Sequence, residues 1–107
     1  MDKEKAINLA REYASIVTRH FSVREVILYG SFANDRTHEH SDIDIAVIVD
    51  ELDQNIMEAQ AKLFKLRRDL DLRIEPVLIQ EGKDKSGFKE EVLKSGIKVY
   101  TSGVIVD

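Results

Sequence analysis

Apolar residues between Lys3 and Phe21 fall at Ile7, Ala10, Ala14, Val17 and Phe21. These steps of three and four put one stripe on a helix face, so the spacing predicts a first helix over this span. The run Val26-Ile27-Leu28-Tyr29 that follows is too short for a helix and rich in β-formers, and it predicts a buried strand ending at Gly30. Asn34 to Ser41 is polar and without periodicity, which predicts a loop entered through a single helical turn near Ser31. Ile43 to Val49 is a β-branched run interrupted by one carboxylate, Asp44, and reads as a central strand.

Ile56, Ala59, Leu63, Leu66 and Leu70 restore helical spacing, giving a second long helix from about Asp53 to Leu70. Leu72 to Ile79 is a third strand. Pro76 inside it cannot donate to a ladder, which predicts a sheet edge or a bulge. A short helix from Phe88 to Lys94 should stop at Gly96 as its C′ residue, and Ile97–Tyr100 with Val104–Val106 predicts one last strand. The order α-β-α-β-α-β-α-β implies an α/β (α+β) fold, a small mixed sheet flanked by helices. With 107 residues, no repeat and no linker, residues 1–107 are expected to form a single domain.

Composition narrows the function. The chain is 43% apolar and 34% charged, which fits a folded domain. It has no cysteine, so disulfides and thiolate metal sites are excluded. No apolar run approaches the roughly 18 residues of a membrane span, and the start Met1-Asp2-Lys3-Glu4-Lys5 has no apolar signal core; a cytoplasmic protein is expected. The net charge of −4 argues against nucleic acid as the direct substrate, although Lys62, Lys65, Arg67 and Arg68 offer a local basic patch.

The chemistry concentrates between Leu28 and Val49, LYGSFANDRTHEHSDIDIAVIV, where Gly30-Ser31 precedes Asp42-x-Asp44 by ten intervening residues. Strand alternation puts Asp42 and Asp44 on one face about 7 Å apart, with Ile43 and Ile45 on the other. Two acids so placed repel each other unless cations sit between them, and magnesium, a hard ion that takes carboxylate and phosphate oxygens, suits the pair. Glu75 interrupts an apolar strand without a packing reason and offers a third carboxylate. Gly30 allows a phosphate to approach the backbone, and Ser31 adds N–H and hydroxyl donors.

This pattern resembles the signature of the DNA polymerase β-like nucleotidyltransferases, and most closely their minimal nucleotidyltransferase (MNT) branch. The resemblance implies a nucleotidyltransferase fold and a magnesium-dependent enzyme, with two ions held by Asp42, Asp44 and Glu75. Such an enzyme moves a nucleotidyl group, AMP from ATP being expected, onto a hydroxyl, with the triphosphate at Gly30 and Ser31. It also implies an antitoxin of the MntA kind, whose partner is a HEPN-domain toxin modified on tyrosine; a homo-oligomer is compatible with it. Relatives often carry a basic-glycine turn after G-S-x-A, whereas Ala33 here is followed by Asn34-Asp35-Arg36, so Arg36 is the expected phosphate contact at a displaced position.

Two other functions stay open at this point. One is a binding module that neutralises a partner by contact alone. The other is transfer to a small molecule such as an aminoglycoside, which the lack of an added drug-binding domain disfavours. Around the site, His38 and His40 are expected to be solvated loop residues, and Asp71 is expected to cap or to face solvent. Arg73 either touches phosphate or pairs with Glu75, Tyr29 packs on the sheet face, and the second helix's charges form a solvated face.

Overall fold

The computed structural model describes residues 2–33, 42–83 and 86–106. In chain order they form α1 (Lys3–Val17), β1 (Val23–Tyr29), a 3-10 turn (Gly30–Phe32), β2 (Ile43–Val49), α2 (Ile56–Leu66), β3 (Ile74–Gln80), α3 (Phe88–Ser95), β4 (Ile97–Thr101) and β5 (Val104–Ile105). The sheet runs β3-β2-β1-β4-β5. Only β2 and β3 are parallel, joined by the α2 crossover; the other neighbours are antiparallel. This is the α+β fold with a mixed sheet that the element order implies.

The hydrophobic pattern divides the sheet into two unequal faces. On one, Val26, Leu28, Ile43, Ile45, Val47 and Ile74 meet Ala10, Tyr13, Ala14 and Val17 of α1 and Ala59 and Leu63 of α2. The buried Tyr13 hydroxyl donates to the Leu63 carbonyl at 2.6 Å and ties the two helices together. The opposite face has a smaller cluster, Ile27, Ala46, Ile48 and Ile79 beneath Val92 of the short α3. Among the described residues no helix packs over one end of that second face, and Asp44 lies there.

Several boundaries differ from the sequence reading for physical reasons. The first helix ends at Val17 and breaks into turns before Phe21, although Phe21 still packs against the core. Asn55 caps the second helix by accepting from the Met57 N–H at 2.8 Å, so it starts three residues later than expected. That helix ends at Leu66, and turns carry Leu70 back to the core, which mimics helical spacing in the sequence. The first strand begins at Val23 because Arg24 and Glu25, polar in sequence, form ion pairs with Asp50 just past β2 (2.8 Å) and with Lys98 on β4 (2.6 Å).

The expected single last strand is two. Ser102 and Gly103, both at positive φ (46° and 86°), form a two-residue turn that folds Val104–Ile105 back onto β4. Gly96 does end α3, yet its φ of −89° is not left-handed. A Cβ there would lie 2.4 Å from Ile27 Cγ2, so the reason for glycine is the close passage over β1. Among the described residues no helix is long and apolar enough to cross a membrane.

Pro76 lies on β3, an edge strand, as its missing N–H requires. The outer rail of that edge is covered by α2. Gln60 donates to the Pro76 carbonyl (2.7 Å) and accepts from the Leu78 N–H (2.9 Å). Arg67 donates to the Leu72 and Ile74 carbonyls at 2.8 Å each.

Candidate active site

Register in the sheet brings the acids together. Asp44 on β2 is the cross-strand partner of Glu75 on the parallel β3 and of Tyr29 on the antiparallel β1. Tyr29, Asp44 and Glu75 therefore form one row across three strands on the sparsely covered face, with strands about 4.8 Å apart. Asp42 is exposed just before β2, two residues from Asp44.

Gly30 closes the row at its β1 end. It has φ +75°, and a Cβ there would meet Asp44 Oδ2 at 2.3 Å and Cγ at 3.2 Å. The backbone of the Gly30–Phe32 turn thus lies directly against the Asp44 carboxylate, and only glycine fits. Ser31, partly exposed, follows in the same turn, while Phe32 is buried and anchors it. Arg36, His38 and His40 lie outside the described residues.

Charge crowding leaves its mark on the row. Burial first, then Asp42 and Glu75, raises the Asp44 carboxyl above its ordinary range. Burial, then Asp44 and Glu75, pushes the Tyr29 hydroxyl up to about 12. The Tyr29 ring also packs edge-to-face on Phe88 of α3 with centroids 5.6 Å apart, so Tyr29 packs on the face as expected while bordering the acids.

Among the described residues no three His, Asp or Glu side chains close into a ready-made metal cluster. Glu75 Oε1 is turned toward Arg67, 3.8 Å away, and its side chain is 42% exposed. The donor set is nevertheless all hard carboxylate oxygen beside a glycine cradle, which fits magnesium rather than a soft ion.

Arg73 pairs with Asp71 rather than Glu75, through Nε (3.0 Å) and Nη2 (2.7 Å). That fork lowers the Asp71 carboxyl below its usual range and holds the acid at the entry to β3, where it also accepts from the Arg73 N–H. Asp71 is accordingly engaged by Arg73 and not solvated. The cation beside Glu75 is Arg67, which sequence reasoning assigned to a solvated face. It reaches round the β3 edge with its guanidinium over the Phe64 ring, 4.9 Å from the centroid. Its position just past the last helical leucine, followed by a turn, is the available signal: a basic C-terminal residue pointing at the carbonyls of the next strand.

Known proteins share this fold. The chain superposes on a candidate nucleotidyltransferase from Sulfolobus solfataricus with a TM-score of 0.73 and 21% identity, covering 98% of this chain and 90% of that one. It is similar to a chain of a toxin–antitoxin complex solved with AMP-PNP (TM-score 0.60, 25% identity, 95% and 75% covered). It also matches a chain from a complex of the tri-AMPylated HEPN toxin of Shewanella oneidensis with its MNT antitoxin (TM-score 0.52, 24% identity, 94% and 70% covered). No curated protein matches in sequence. The family model "Polymerase beta, Nucleotidyltransferase" matches residues 11–103, a span that contains Gly30, Ser31, Asp42, Asp44 and Glu75. The chain belongs to the polymerase β nucleotidyltransferase family.

Proposed function

We propose that this protein transfers AMP from ATP to a tyrosine hydroxyl of a HEPN-type toxin and acts as its antitoxin. The observation that carries the reading is the single row in which the Gly30 backbone, Asp44 and Glu75 follow one another across the sheet. Family membership supports nucleotidyl transfer, and the similarity to toxin–antitoxin complexes, one of them with AMP-PNP, supports the donor and the partner.

In this reading the triphosphate tail rests on the Gly30–Ser31 backbone and the Ser31 hydroxyl. Asp42 and Asp44 hold magnesium, and Glu75 completes the set on the acceptor side. When bound, magnesium offsets the charge on the phosphate oxygens and favours the ionised acceptor hydroxyl. The acceptor oxygen forms a bond to the α-phosphorus as the bond to pyrophosphate breaks, and the hydroxyl proton passes to solvent. In this reading the partner protein supplies the acceptor's setting.

Glu75→Gln tests the assignment. Triphosphate binding should persist, because Gly30, Ser31, Asp42 and Asp44 are unchanged. Transfer should fall a few hundredfold, or about 3–4 kcal/mol of barrier. Undiminished AMP transfer would remove Glu75 from the mechanism. A variant that transfers nothing yet still neutralises the toxin would instead identify an antitoxin that works by contact.

A further inference from the structure

The row of site residues has a direction. With the pyrophosphate at Gly30–Ser31, on the β1 side of Asp44, an in-line displacement requires the attacking hydroxyl to come from the opposite, β3 side. A hollow of about 260 Å³ opens on that side, between β3 and Phe88, lined by Ile56, Val77, Ile79, Lys83 and Ser86. A second hollow of about 320 Å³, bounded by Ile56, Met57 and Gln60, shares Ile56 and Leu78 with the first. Val77 and Ile79 continue the Glu75 face of the strand, roughly 7 and 13 Å beyond it at about 3.3 Å per residue.

The lining decides the class of occupant. Among the described residues neither hollow is bounded by an Asp or Glu, as an aminoglycoside's ammonium groups would require, and Lys83 is the one cation there, too few for a nucleic-acid backbone. What the groove presents is apolar surface held open to solvent: Met57 is 77% exposed, Ile56 48% and Phe88 37%. We infer that this groove over the β3 edge is the acceptor-docking subsite, and that it takes an apolar side chain of the acceptor protein two to four residues from the modified tyrosine. The spacing follows from the distance between Glu75 and the groove, at about 3.3–3.6 Å of extended chain per residue. The inference rests on the acceptor-side role proposed for Glu75.

Acetylated Gly/Ser peptides carrying one tyrosine, with or without a phenylalanine two, three or four residues away, separate the two ideas when incubated with labelled ATP and magnesium. At one spacing the phenylalanine should raise kcat/KM at least tenfold, mainly through KM. Met57→Asp should return that ratio to near one; an acid in the first turn of α2 suits the helix terminus, so folding should be retained, and circular dichroism checks this. Val104→Asp, at another exposed apolar position, on the far strand β5, should leave the ratio intact. Tyrosine peptides modified without any gain from phenylalanine, or a gain that survives Met57→Asp, would overturn the groove assignment while leaving the transferase reading standing. No transfer to any peptide while a co-expressed HEPN-type partner gains AMP would overturn the groove assignment alone, and no transfer to either would overturn both.

Discussion

Gly30→Ala is the most direct probe of the site's geometry, because two costs with different origins meet at one atom. The backbone at φ +75° would force alanine into the left-handed region, which costs about 1–2 kcal/mol. The new Cβ would also stand 2.3 Å from Asp44 Oδ2, too close for either atom to stay where it is. Rotating the carboxylate away from its preferred conformer adds about 0.5–1.5 kcal/mol. The expected total is about 1.5–3.5 kcal/mol, read as a lower urea midpoint at constant slope. The two contributions separate in a double-mutant cycle. Asp44→Ala removes Oδ2 and Cγ and leaves only the Asp44 Cβ at 3.4 Å, an ordinary contact. In that background Gly30→Ala should cost only the backbone term, so the coupling between the two sites should be about 0.5–1.5 kcal/mol. Equal losses in both backgrounds would show that the glycine turn does not lie against the carboxylate and would refute the cradle.

Asp44 should also shape the pH dependence of stability in metal-free buffer. Its folded pKa is raised, so the native state holds this proton more tightly than the unfolded chain, and ionising it costs stability as pH rises through the folded value. Asp44→Asn should therefore be more stable than the parent at neutral pH, with the advantage vanishing below the unfolded aspartate value of about 3.9; thermal melts across pH check this, and an Asn variant less stable at neutral pH would contradict it. Magnesium with a non-hydrolysable triphosphate should raise the parent's melting temperature and leave the Asp44→Asn variant nearly unmoved. Gln60→Glu should lose about 1–3 kcal/mol in denaturant melts, because a carboxylate can accept from the Leu78 N–H but cannot donate to the Pro76 carbonyl; a neutral outcome would mean that solvent satisfies the edge equally well.

Much of this was readable from residue type and spacing. The stripe through Ala10, Ala14 and Val17, the β-branched run around Asp44 and the proline at a sheet edge each report a local constraint that the tertiary structure shares. Sequence reasoning failed where partners are distant or where turns imitate helices. Glu25 looked too polar for a strand because Lys98, which neutralises it, lies 73 positions away on β4. Leu70 looked helical because a tight turn returned it to the same core. Arg73 seemed placed for Glu75 by alternation, but the two-residue return to Asp71 offered a shorter fork. The Asp44–Glu75 register depends on how the α2 crossover seats β3, and no local pattern encodes that alignment.

The edge position of β3 has a further consequence. An open strand edge is a template on which another polypeptide can add itself, and an edge bearing an apolar run such as Val77–Ile79 is prone to it. Here proline removes one donor from the outer rail, while Gln60 and Arg67 occupy the groups at positions 72 to 78 with side chains from the protein's own helix and its C-cap. The same contacts that steady the strand carrying Glu75 thus guard it against intermolecular pairing. Loosening them to gain mobility near the acidic row should make the protein more prone to aggregate.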